Sequence, residues 1–211
     1  ISFSSPGTLL GQMPDLGTAS NFALYTASGA LTNTKTAITT RITGNVGTNL
    51  GLITRYGPPD AVLTGVETSQ GSAASIQAAA DVLSAHTDLA ARVRTEPVHA
   101  AVHGAGETLS PGVYELTPAG SINGELNLDA GGDPNEIFIF KFGGAFTVDA
   151  SAEVKLIRGA QASHVFWVTS FAAGDAAISI AADVIMKGTL ITDQGALALG
   201  ARVNLEGRML T

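Results

Sequence analysis

Two histidines stand four residues apart in His99-Ala-Ala-Val-His103. On a helix that spacing would put two imidazoles on one face, where they could hold a metal ion. The segment lacks the glutamate of a zinc-protease helix, and Gly104-Ala105-Gly106 follows at once, so a surface turn is expected and no metal. Asp129, Asp133 and Glu136 gather three carboxylates in DAGGDPNE, a composition that could suit calcium. Their spacing is not the alternating pattern of an EF-hand loop, and Pro134 with two glycines marks turn chemistry. Serines abound, yet no Gly-x-Ser-x-Gly elbow occurs. His86 near an apolar helical stripe and His164 at the start of an apolar run read as structural. With no cysteine, disulfides, thiolate zinc sites and a Cys nucleophile fall away together. No catalytic residue, metal or cofactor is expected.

Composition narrows the partners further. The 211 residues are 45% hydrophobic and only 14% charged, which describes a folded chain with a sizeable core. A net charge of −7 with no Lys/Arg run argues against nucleic acid and against an anionic membrane surface. No run of about 18 apolar residues exists to span a bilayer. The opening ISFSSPGTLLGQMP has no basic stretch followed by an apolar one. A secreted protein with its leader removed is the expectation; a cytoplasmic one is equally compatible with these residues.

The chemistry that remains is that of small side chains repeated in space. Bulky apolar residues recur at relative positions 0, 2 and 8 in Phe146/Val148/Val154, Ile178/Ile180/Met186 and Leu197/Leu199/Leu205. Alternation of this kind turns one side of a strand inward, and its recurrence marks a stacked repeat. A repeat of about 20 residues is close to one coil of a β-solenoid with three short strands around a triangular section. The longer step from 146 to 178 is assigned to a loop, RGAQAS at 158–163. The first strand of each coil then points Thr147, Ser179 and Ala198 outward. Thr and Ser suit β-structure in any case, so their smallness alone does not define a site. The second strand sends out Lys155, Lys187, Asn204 and Glu206, an ordinary solvated face.

The third strand is apolar on both sides in IFIFKF (137–142) and HVFWV (164–168), so something must cover it. Residues 64–94 hold the one long helical pattern. Thr64 with Glu67 fits a capping box, Ile76, Ala79, Ala80, Leu83, Ala90 and Val93 form a stripe, and Glu96-Pro97 ends the run. A helix of about 40 Å lying along the third face, above Trp167, is expected. Residues 18–48 alternate again and should supply further coils. Residues 48–63 read as a cap or loop, and 108–211 as the main coils, all within one domain.

Strands first, one long helix, then the bulk of the coils is an order that resembles the microbial ice-binding protein family with a discontinuous β-solenoid. LGTASNFALY (16–25), RITGNVG (41–47), SPGVYEL (110–116), IFIFKFGGAFTV (137–148), GAQASHVFWV (159–168), VIMKGTLIT (184–192) and VNLEGRMLT (203–211) carry the likeness. It runs from about Leu16 to Thr211. The resemblance implies a mostly β fold: a right-handed, three-faced β-solenoid with the helix along one face, adsorbing to ice through a flat face. It also implies thermal hysteresis, inhibition of ice recrystallisation and a role in cold adaptation, in a monomer without enzymatic activity. Some family members carry T-A/G-x-T/N motifs there; Thr36-Ala37-Ile38-Thr39 and Thr18-Ala19-Ser20-Asn21 fit that form. The ice-contacting residues so implied are Thr147, Ser179, Ala198, Ala177, Ala196, Asn127, Thr43, Asn45, Thr36 and Thr39. No regular threonine ladder repeats through the coils.

Other classes remain open on sequence alone. A solenoid polysaccharide lyase or hydrolase needs acids and bases clustered in a groove, whereas the repeated strands here carry scattered charges and few aromatics. A cell-surface adhesion or carbohydrate-binding module makes no such demand.

Overall fold

The computed structural model describes residues 11–34, 40–57, 59–169 and 176–211. The architecture is mostly β, with one α-helix among the described residues. Every strand pairing recorded is parallel. Parallel neighbours cannot be joined by tight hairpins, so each pass of the chain adds one strand to each of several growing sheets.

A five-stranded sheet runs Val102–Gly104, Gly120–Asn123, Phe146–Val148, Ile178–Ile180, Leu197–Leu199 in spatial order. An 11-stranded sheet has two limbs, which the long strands Ile185–Ile191 and Asn204–Leu210 join by belonging to both. These two strands bend together at Gly188 and Gly207, which lie side by side in register. The 0-2-8 pattern is the register itself: Phe146, Ile178 and Leu197 are neighbours, as are Val148, Ile180 and Leu199, and Met186 with Leu205. Between strands of successive passes the corner repeats too, with Ser151, Asp183 and Arg202 each held at positive φ.

Inward side chains form a continuous core of Leu126, Leu128, Phe138, Phe140, Phe146, Val154, Met186 and their neighbours. Because strands stack about 4.8 Å apart, like residues stack too. Phe140 lies on Trp167 at 4.3 Å between ring centroids and 11° between planes, and Phe142 lies on Phe146 at 4.5 Å. Trp167 therefore points into this core, where its Nε1 donates to the Lys187 carbonyl at 2.8 Å. The sequence expectation put it under the helix; strand alternation gives that place to Phe166 instead.

The apolar limb is covered by the helix as expected, but the helix is shorter and turned differently. It runs Ala73–Ala91, about 28 Å at 1.5 Å per residue. Ser72 is its N-cap and accepts from the Ser75 N–H at 3.2 Å. Thr64 and Glu67 belong to strands Ala61–Thr64 and Glu67–Thr68, so the capping box is not formed. Gly65 packs against the Gly44 backbone too closely for a side chain, which keeps this stretch in the sheet stack. The buried helical stripe is Ser75, Ala78, Val82, Ala85, His86 and Leu89, packed on Phe166, Val168, Ile139 and Ile191. Ile76, Leu83 and Val93 are exposed. Small residues win the inner face because the Tyr25 hydroxyl must reach the Ser75 carbonyl and His86 Nε2 the Thr169 carbonyl, at 2.7 Å for the latter.

Residues 48–63 are not a loop: they hold strand Ile53–Thr54 and most of Ala61–Thr64, which pair with Leu31–Thr32 and Thr40–Thr43 and are the outermost strands there among the described residues. Arg55 and Asp60 are tied by an ion pair of 3.0 Å. The N-terminal passes stack beyond the C-terminal one: Phe22–Ser28 pairs with Asn204–Leu210, Leu24 beside Met209. At the opposite end, pairing begins at Val102 rather than at 108.

Candidate functional site

The outer side of the five-stranded sheet is built from one outward residue of each short strand. Val102, Ser121, Thr147, Ser179 and Ala198 lie in unbroken register from one edge to the other. Thr147 and Ser179 are exposed between buried neighbours, and Ala198 is exposed between half-buried Leu197 and exposed Leu199. Ala145, Ala177 and Ala196 precede the strands, and their carbonyls accept from the Gly120, Phe146 and Ile178 N–H groups at 2.9–3.0 Å. Two residues back along a strand is the same side, so these alanines form a second small column beside the first. No side chain of either column is charged. Charge starts at the corner, where Asn123 donates to Asp149 at 3.0 Å and Asp183 pairs with Arg202.

The charged limb is a different surface. Lys155 pairs with Glu125 and reaches Glu153 at 3.9 Å, and Lys187 pairs with Glu206 at 2.7 Å. The hydrogen bond between Lys155 and Glu125 holds the carboxyl below its ordinary range and the ammonium above it. Such exposed pairs contribute little stability, but they hold water around charges and make the surface uneven.

The implied ice-contacting residues therefore do not share one surface. Thr147, Ser179, Ala198, Ala177 and Ala196 do. Asn127 stands on the charged limb, beside Thr108 and Lys155, with its Nδ2 donating to Glu125 at 3.1 Å. Thr43 is exposed next to Thr64, and Asn45 accepts from the Val66 N–H at 3.1 Å. Thr36 and Thr39 lie outside the described residues. The second motif, Thr18 to Asn21, is a 3-10 turn facing the helix, where the Thr18 N–H donates to Asp81 at 2.6 Å. It belongs to no flat sheet. Ser121 and Ala145 extend the small columns, and the exposed Val102 ends the first of them. The strand of Ser121 is hidden in the sequence because Gly120 takes the place of the bulky Phe146: the Phe142 ring fills the space its side chain would need.

The Asp129–Glu136 loop is turn chemistry, with Asp129 and Asp133 accepting from the Gly131 and Asn135 N–H groups at 2.8 and 2.9 Å. His103 departs from the sequence expectation. It sits in strand Val102–Gly104 rather than on a surface turn, with its side chain wholly buried. It packs against Phe140 at 5.5 Å and stacks on His99 at 4.1 Å. Burial pushes its imidazole down to about 4, His99 adding to the effect and Glu107 opposing it.

Stacked parallel strands, one covering helix and a column of small uncharged residues on the outer side of one sheet define the architecture. The chain belongs to the ice-binding-like family, whose model matches residues 25–211. It is 34% identical over 152 residues to an ice-binding protein of Nostoc sp. (strain HG1), a match covering 72% of this chain and 54% of the relative. The chain thus spans about half the length of that relative. An ice-binding protein of Flavobacterium frigoris (strain PS1) is 24% identical over 216 residues, covering 97% of this chain and 75% of the relative. The crystal structure of an ice-binding protein from the Antarctic ascomycete Antarctomyces psychrotrophicus superposes with a TM-score of 0.77 at 26% identity. That match covers 92% of this chain and 97% of the other.

Proposed function

We propose that the chain adsorbs to ice through the outer side of the five-stranded sheet, giving thermal hysteresis and inhibition of ice recrystallisation. The observation that carries this reading is the in-register column Ser121, Thr147, Ser179, Ala198 with the flanking alanines. Ice offers no pocket, so affinity must come from many weak contacts on a surface that loses little entropy on binding. Strands fixed on both sides by parallel pairing meet that requirement. Methyl groups and hydroxyls at about 4.8 Å spacing can anchor ordered water, whereas the Lys/Glu limb would hold water around its charges. Relatives named as ice-binding proteins support the same reading.

The finer architecture consistent with this role is a right-handed solenoid of three faces: the small-residue sheet, the charged limb and the helix-covered limb. In this reading the protein is a secreted, single-domain monomer without enzymatic activity. Nanolitre osmometry on the purified chain tests the function. Faceted crystals and a gap between melting and growth temperatures are expected at micromolar protein. Unshaped crystals, with no gap and no inhibition of recrystallisation, would overturn the proposal.

A further inference from the structure

We propose that His99, His103 and Glu107 form a site for one divalent first-row transition-metal ion of the Zn2+ type, which staples the terminal pass of the chain. The three residues offer ligand atoms that all lie within 4.8 Å of one another. His99 Nε2 is 2.9 Å from one Glu107 oxygen and His103 Nδ1 is 3.6 Å from the other. Ligands about 2.0 Å from a tetrahedral ion are separated by about 3.3 Å. The two contacts, to different oxygens of one carboxylate, lie near that value, and the His99 and His103 rings, stacked with 17° between their planes, would tilt to converge on one ion. Imidazole nitrogen donors favour zinc and its neighbours over calcium or magnesium.

An ordinary ion pair between His99 and Glu107 leaves His103 unexplained. Its side chain has 0% exposure, and neither ring nitrogen has a hydrogen-bond partner. A leucine would fill the same space without stranding two polar atoms, each of which costs free energy when buried unmet. An ion between Nδ1 and Glu107 meets one of them directly. The supporting residues are already set. The Gly104 N–H donates to Glu107 Oε1 and fixes the carboxylate, and His99 Nδ1 contacts the Ala100 carbonyl at 2.8 Å, leaving Nε2 for the ion. This is the arrangement by which ligating histidines are oriented.

The position gives the ion a role. Among the described residues, Val102–Gly104 and Glu107–Leu109 are edge strands, each paired on one side only. Binding would tie the segment leaving the helix, at His99, to both edge strands, and so hold closed the end of the stack where no further described strand adds support.

The test uses the whole chain, treated with EDTA and dialysed. Calorimetric titration with Zn2+ at pH 7.5 should show one equivalent bound in the micromolar range or tighter, with the melting temperature raised by several degrees. Co2+ should give visible d–d absorption of a four-coordinate nitrogen/oxygen site. His99→Ala and Glu107→Gln alter half-buried residues, and the glutamine keeps an acceptor for Gly104, so both variants should fold. Each should lower the affinity at least tenfold. No binding by the unaltered chain, or affinity unchanged in both variants, would overturn the site. Neither result bears on ice adsorption, which is read separately.

Discussion

Thr147 and Ser179 stand directly beside each other on adjacent parallel strands, both exposed, with Phe146/Ile178 and Val148/Ile180 as their buried flanks. A bulky ring at either position would rise above a surface otherwise made of methyl and hydroxyl groups, without touching the core. Thr147→Tyr and Ser179→Tyr are each expected to lower hysteresis several-fold, with stability changed by no more than about 0.5 kcal/mol. Asn204→Tyr, on the charged limb, should leave hysteresis unaltered. Equal activity in all three variants would place adsorption on another surface.

The helix can be tested by the same contrast of faces. Leu89 is fully buried against the apolar limb, whereas Leu83 is 53% exposed. Leu89→Ala should cost about 2–5 kcal/mol in urea denaturation, the range for buried leucines, and Leu83→Ala under about 1 kcal/mol. A reversed order would restore the stripe of Ile76 and Leu83 as the inner face.

That stripe shows where reading the sequence reached its limit. Period-two alternation with short turns exposed the stacked passes at Phe146, Ile178 and Leu197, because one bulky residue per pass had no other place to go. The helix face was harder. Ala, Ser and His carry little hydrophobic signal, so Ile76 and Leu83 drew the stripe to the solvent side, although close approach to a flat sheet selects small residues. The strand at Gly120–Asn123 was missed for a related reason: an inward glycine whose space a ring from another strand fills looks like a turn. At the candidate surface, alternation sorted Thr147, Ser179 and Ala198 correctly onto one side. Asn127 and Thr43 could not be sorted by residue type, since which limb a strand joins depends on the length of the corner before it.

The bend between the limbs rests on two glycines. Gly207 has φ 153°, and a Cβ built there would lie 1.8 Å from the Gly188 carbonyl oxygen. Gly131 also has positive φ, 64°, but open space around it. Gly207→Ala should therefore cost well over the roughly 1–2 kcal/mol of left-handed strain alone, and Gly131→Ala about that strain. Thermal melts of the two variants separate the effects. Equal losses would mean that the close backbone approach carries no weight.

His103 links the buried end of the stack to pH. Its imidazole titrates at about 4 in the folded chain and near 6.5 when unfolded. Above pH 6.5 it is neutral in both states and adds no pH dependence. As pH falls from 6.5 towards 4, the unfolded chain takes up a proton that the folded chain refuses. The unfolded state then binds more protons, so stability falls with pH. The gap corresponds to roughly 3 kcal/mol when fully expressed, most of it by pH 4.5. His103→Leu keeps an apolar side chain of similar bulk among Tyr114, Phe140 and Phe142 and removes the proton. Urea denaturation in EDTA at pH 7.5 and pH 4.5 should show the unaltered chain losing about 2–3 kcal/mol more than the variant. An equal loss in both would assign the acid sensitivity to other groups, and would mean that the buried imidazole accepts its proton without unfolding.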